Sequence, residues 1–155
     1  VLYFCSAKYH YTKDPVKKMF YRKLDHISIY VLIAGTYTPY TLIFLSHSKG
    51  VLLFGIVWLI ALLGTFLKIF FTGRFEVISL LLYLVMGWLI VFDFTALALA
   101  VSPRAISLLI AGGGFYTAGI LFYVWNSLKY NHVLWHLFVL AGSICHFFSI
   151  YLELI

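Results

Sequence analysis

Charged residues are scarce in this chain. Asp, Glu, Lys and Arg make up only 10% of its 155 residues, against about 25% in soluble domains. With 64% hydrophobic residues and a mean hydropathy of +1.03, there is too little polar surface to cover a soluble globule. Cysteine is almost missing. Cys5 and Cys145 both lie in apolar runs, at depths that argue against a disulfide, and no CxxC motif is present. They read as buried, reduced thiols. Strict alternation of apolar and polar residues is also missing, which excludes a transmembrane barrel. The glycines of IAGGGFYTAG follow no predicted strand, so they do not form a phosphate loop. They read instead as a close-packing helix face. No soluble module, linker, low-complexity segment or signal peptide is visible.

What is present is a series of long apolar runs. They predict an all-α, polytopic membrane bundle forming one domain over residues 1–155. Residues 1–10 read as the tail of a helix, about half the length of a span, and the start at Val1 leads to the expectation that the natural N-terminus is missing. Full spans are expected at about 25–45, 51–71, 77–100, 105–125 and 132–155. Residues 11–24 are expected to be a basic loop with a turn at Asp14-Pro15. Pro39 falls inside a span and is expected to kink it, with Thr36 or Thr38 helping to satisfy the backbone.

Lys and Arg are distributed unevenly. Lys8, Lys13, Lys17, Lys18, Arg22, Lys23, Lys68, Arg74 and Lys129 fall on one side, and only Lys49 and Arg104 on the other. Nine against two predicts that the 11–24 segment is cytoplasmic and the C-terminus external. The net charge of +6 therefore reads as a topology signal, and its clustering argues against nucleic acid as a partner. Membrane lipids are the expected surroundings.

That topology gathers a few polar residues. His132 and His136 are four apart at the start of one span, on one helical face. Ser6 and His10 are likewise four apart on the partial helix, and Asp25 opens the next span. All five are expected to meet in the cytoplasmic leaflet. Ionisable groups inside a membrane are costly and usually functional. Three imidazoles suit zinc, leaving a fourth position for a bound water whose pKa falls to roughly 7. Asp25 can accept a proton there, and Ser6 can donate to a developing oxyanion. Each has a plainer reading: a helix-start carboxylate for Asp25, a helix–helix hydrogen bond for Ser6. His146 lies about 15 Å deeper than His136 and reads as a buried polar contact, His26 as pointing away from the group, His47 as an outer loop residue and Asp93 as interfacial.

Ser6-x3-His10, LDHISIYVLIAGTYTPY, LLYLVMGWLIVF and NHVLWHLFVLAGSICHF together resemble the hemolysin III family, which is similar to the progestin and adipoQ receptors, including the adiponectin receptors. The resemblance spans nearly the whole chain. It implies a seven-helix fold, here five full spans and the tail of a sixth, in a cell membrane of bacterial origin. It also implies a zinc site made by His10, His132 and His136, with Ser6 and Asp25 at the remaining polar positions. The adiponectin receptors are associated with ceramide hydrolysis, so a zinc-dependent hydrolase of a lipid amide or ester is the first expectation. A receptor-like signalling protein with structural zinc is the second. A membrane-damaging hemolysin is the third, disfavoured as a direct pore former because the spans are too apolar for a soluble secreted form.

Overall fold

The structure is a computed structural model that describes residues 1–125 and 127–155. Asn126, in the expected turn NSLKYN, lies outside the described residues. Helix α1 covers Leu2–Tyr11 and α2 covers Pro15–Pro39. A π-helical turn, Tyr40–Phe44, extends α2, and α3 follows at Gly50–Phe71. Helix α4 (Glu76–Trp88) passes through a 3-10 turn at Leu89–Asp93 into α5 (Phe94–Ala100). Helices α6 (Pro103–Val124) and α7 (Asn131–Leu154) complete the order. Among the described residues, five continuous segments are long and apolar enough to cross a membrane: Pro15–Phe44, Gly50–Phe71, Glu76–Ala100, Pro103–Val124 and Asn131–Leu154.

The expected basic loop over 11–24 is corrected. It shrinks to Thr12–Asp14, and helix α2 begins at Pro15. Asp14 has extended backbone angles and its carboxylate accepts the Lys17 backbone N–H at 2.9 Å. Pro15 occupies the first helical turn, where its missing N–H is no loss. Lys and Arg are good helix formers, so the charges do not stop the helix. The segment Pro15–Phe44 has 30 residues, about 45 Å at 1.5 Å per residue, against a hydrocarbon core of about 30 Å. Its first turns, with Lys17, Lys18, Arg22 and Lys23, are the part that exceeds the apolar slab. Asp25 is consequently three turns inside α2 rather than in its first turn.

Small residues set the tightest crossing. A Cβ at Gly112 would overlap the His146 ring, and one at Gly119 would press on Phe138 and Trp135. Gly142 of α7 meets Tyr116 in the same way. Gly113 and Gly114 face open space, so the packing stripe expected from IAGGGFYTAG runs through Gly112 and Gly119 only. The main core is centred on Tyr30, Ala34, Tyr40, Val57, Met86 and Leu97. It draws on α2, α3, α4 and α5, with Ala105 from α6.

Two of the spans are broken. Pro39 supplies no N–H, and the chain after it opens into the π turn. The neighbouring hydroxyls bond carbonyls one turn back: Thr36 to Leu32 and Thr38 to Ala34, at 2.8 and 2.9 Å. Neither reaches Gly35, whose carbonyl is the one Pro39 leaves without its helical donor. The second break, Leu89–Asp93, is stitched to α2 by Tyr37. Its hydroxyl donates to the Gly87 carbonyl and accepts the Ile90 N–H, both at 2.9 Å. Asp93, expected to be interfacial, is only 9% exposed. It accepts Ser48 Oγ at 3.0 Å and the Lys49 N–H at 2.9 Å, so it holds the α2–α3 turn against the second break.

Candidate metal centre

Helices α1, α2 and α7 bring a polar group together at one end of the bundle. Helix α1 lies against α7 through Tyr3, whose hydroxyl donates to Ser143 Oγ at 2.8 Å. Further along α1, Ser6 and His10 fall on the same face by the four-residue spacing. Helix α7 starts at Asn131 after Tyr130, which takes a left-handed conformation with φ 65° to turn the chain into it. His132 and His136 follow in its first two turns, again on one face.

The three imidazoles converge through Nε2 atoms. His10 Nε2 is 3.1 Å from His132 Nε2, and His136 Nε2 is 3.1 Å from the same atom. One ligand atom from each residue lies within 4.8 Å of the other two. Ser6 Oγ is 3.3 Å from His136 Nε2. A neutral imidazole carries one N–H, so His132 Nε2 cannot satisfy both neighbours as donor and as acceptor at once. A cation among the three resolves that conflict. Zn–N bonds of about 2.0–2.1 Å separate tetrahedral ligand atoms by about 3.3–3.4 Å, close to the spacing found here. The donor set of three imidazole nitrogens therefore fits zinc.

Asp25 is 6% exposed and Ser6 is also 6% exposed. Asp25 lies near Ser6, His10 and His132. The five residues singled out in the sequence thus share one site, although Asp25 reaches it from the interior of α2. His26, expected to point away from the group, instead borders it: its Nδ1 lies 3.8 Å from Asp25 Oδ2. It faces Glu76, with Nε2 3.6 Å from Oε2, and its Nδ1 meets the Arg22 carbonyl at 2.8 Å. His146 is far along α7 and does not join the cluster.

One polar group beside the site escapes a reading based on histidine spacing. Lys68 is 1% exposed, and its Nζ donates to Glu76 Oε2 at 2.6 Å. Arg22 approaches the other oxygen of Glu76 at 3.5 Å. The signal was there: Lys68 is the one charge in the run 51–71, and Glu76 is among just five acidic residues. Tyr123, whose ring centroid is 6.4 Å from that of His132, was also not legible, since nothing separates it from the other 11 tyrosines.

Comparison with known proteins places the chain. A family model described as haemolysin-III related matches residues 1–147. Hemolysin-3 of Bacillus cereus is 43% identical over 150 residues, covering 97% of this chain and 68% of that protein. The hemolysin-3 homolog of Bacillus subtilis (strain 168) is also 43% identical, covering 97% of this chain and 70% of the homolog. The human monocyte to macrophage differentiation factor is 26% identical over 133 residues, covering 82% of this chain and 52% of that protein. No solved structure matches. The long apolar helices and the agreement along almost the whole sequence lead to one conclusion: this chain belongs to the haemolysin-III related family of multi-pass membrane proteins.

Proposed function

We propose that this chain binds one zinc ion through His10, His132 and His136 and hydrolyses a lipid amide or ester, in the manner of a ceramidase. The observation that carries the reading is the meeting of three Nε2 atoms beside a buried carboxylate, from helices far apart in sequence. Zinc bound there supplies a Lewis acid that polarises a carbonyl and acidifies water. The chain's own residues supply the rest. Asp25 accepts the proton of the attacking water and returns it to the departing amine or alkoxide. Ser6 Oγ–H donates to the oxygen of the substrate carbonyl as it gains charge. The hydrocarbon surroundings bring the substrate and strengthen these interactions by excluding water.

The placement belongs to the same proposal. Nine of the eleven Lys and Arg fall on the side of the cluster, which supports a site in the cytoplasmic leaflet of the cell membrane with the C-terminus outside. A second reading has its own support. Besides the histidines, α1 is tied to α7 by Tyr3, bonded to Ser143 and to the Val139 carbonyl, and by Ser6, so a zinc that merely fastens those helices would also be useful.

Asp25→Asn separates the two. It keeps the shape and removes the proton acceptor. A hydrolase retains zinc and loses activity by about 10–100-fold or more, read by release of fatty acid from a panel of lipid amides and esters. Unchanged turnover in the variant refutes the role given to Asp25. A wild-type protein that holds zinc yet cleaves nothing across the panel moves the conclusion to the structural reading.

A further inference from the structure

Helix α2 reaches past the hydrocarbon. Pro15–Phe44 has 30 residues, about 45 Å, against a slab of about 30 Å. The surplus of about 15 Å corresponds to about ten residues. The charges place it at the N-terminal end, so residues 15–24 lie at the depth of the lipid headgroups. Every residue from Lys13 to Phe20 is exposed.

Two kinds of side chain share those turns. Val16, Met19 and Phe20 are 80%, 47% and 57% exposed, and their spacing puts them on one face. With Pro15 and Lys23 they line an open groove. Lys17 and Lys18 lie off that face, about 100° and 200° around the helix from Val16. Residues 8–23 hold six cations and one acid, Asp14. Asp14 is engaged by the Lys17 backbone N–H. Arg22 meets Glu76 at 3.5 Å, and Lys23 Nζ donates to the Ile69 carbonyl at 2.9 Å. Lys8, Lys13, Lys17 and Lys18 form no salt bridge among the described residues. Lys18 instead lies over the Tyr9 ring of α1, with Nζ 5.7 Å from the centroid. Large apolar side chains on one arc and ammonium groups on the others suit the boundary between phosphates and acyl chains. A soluble anion would leave the apolar arc uncovered, and a neutral lipid would leave the ammonium groups without counter-charge.

We infer that the first turns of α2 dock anionic phospholipids of the surrounding leaflet, with headgroup phosphates against Lys13, Lys17 and Lys18 and the first methylenes of the chains on Val16, Met19 and Phe20. Each lysine near an anionic membrane surface favours binding by about fivefold. The same charges bias orientation while the chain inserts; in the finished protein they select lipid. The inference needs neither the zinc nor the hydrolysis proposed above, and its test reads binding rather than turnover.

The test titrates purified, detergent-solubilised protein with phosphatidylglycerol and phosphatidylcholine of identical acyl chains and reads bound lipid by native mass spectrometry. Wild type should bind the anionic lipid about tenfold more tightly, as two of the three lysines acting together would more than supply. Raising ammonium acetate from about 0.1 to about 0.5 M should shrink that preference, because screening shortens the reach of exposed charges. The triple variant Lys13→Gln, Lys17→Gln, Lys18→Gln should bring the two lipids within about twofold. Lys49→Gln with Arg104→Gln, which removes charge from the other end, should leave the tenfold preference intact. Equal binding of the two lipids by wild type overturns the inference, as does a preference that survives in the triple variant or disappears equally in the Lys49 and Arg104 control. Displacement of the lipid by equimolar glycerophosphoglycerol, the headgroup without chains, assigns the lysines to a soluble phosphate and overturns it as well. A dimer in the same spectra that the triple variant loses gives the face to a second copy, with the same result.

Discussion

The buried pair Lys68–Glu76 should respond very differently to the loss of each partner. Lys68 is 1% exposed at its side chain, Glu76 is 29% exposed, and their closest atoms are 2.6 Å apart. In Glu76→Gln, the ammonium stays inside the bundle without a counter-charge. Breaking a buried pair in this way costs about 3–5 kcal/mol. The partial exposure of Glu76 lets water approach the orphaned charge, so the low end, about 3 kcal/mol, applies. In Lys68→Met the charge is removed from the dry end of the pair. Glu76 keeps Arg22 at 3.5 Å and its access to water, and the loss is about 1 kcal/mol, as for a partly exposed ion pair. The double variant should lie nearer to wild type than Glu76→Gln, because an apolar replacement for both charges is often close to neutral. For a chain of this size, about 1 kcal/mol moves the melting temperature by roughly 2–4 °C. Glu76→Gln should therefore melt roughly 6–12 °C below wild type, and the double variant should recover part of that. Circular dichroism melting of the four proteins in one detergent makes the measurement. A Glu76→Gln loss no larger than that of Lys68→Met, or a double variant less stable than Glu76→Gln, would refute the reasoning.

Elemental analysis of purified protein should find about one zinc per chain, lost in His132→Ala and in His136→Ala, and chelation should lower the melting temperature of the wild type alone. Gly112→Leu should destabilise by about 1–3 kcal/mol because its side chain would occupy the space of the His146 ring. Gly113→Ala, in open space, should instead stabilise by about 0.5–1 kcal/mol in thermal melts. For orientation, Lys18→Cys should resist a membrane-impermeant thiol reagent added to intact cells and Ile155→Cys should react; labelling at 18 from outside would remove the argument for a cytoplasmic site.

The spans were legible because a hydrocarbon slab demands about 20 apolar residues in a row, and such runs are visible without any packing information. The site was legible for a related reason. In so apolar a chain, His10, Asp25, His132 and His136 stand out, and alternating helix directions fix which end each reaches. The start of α2 was missed because its first ten residues look like a loop by charge. What makes them helical is a single cap, the Asp14 carboxylate on the Lys17 N–H, reinforced by Pro15. The stripe over Gly112–Gly114 was only partly legible, since which of three adjacent glycines meets α7 depends on helix rotation. The break at Leu89–Asp93 carries no proline or glycine signal of its own. It rests on Tyr37, 53 positions before Ile90, a partnership that no local pattern announces.

The cluster joins residues 122 positions apart, His10 and His132, and this has a consequence for biosynthesis. Chains emerge from the ribosome N-terminus first. His10 and Ser6 enter the bilayer long before α7 exists, and for that interval they are isolated polar groups in a nascent chain. The three nitrogens can come together only after four intervening spans have crossed and α7 has turned in behind Tyr130. Metal uptake at this cluster would then be an event of the finished bundle rather than of the growing one. A chain arrested before Asn131 would keep His10 and Asp25 yet have nothing to close around an ion, which makes bound metal a natural mark of completed insertion.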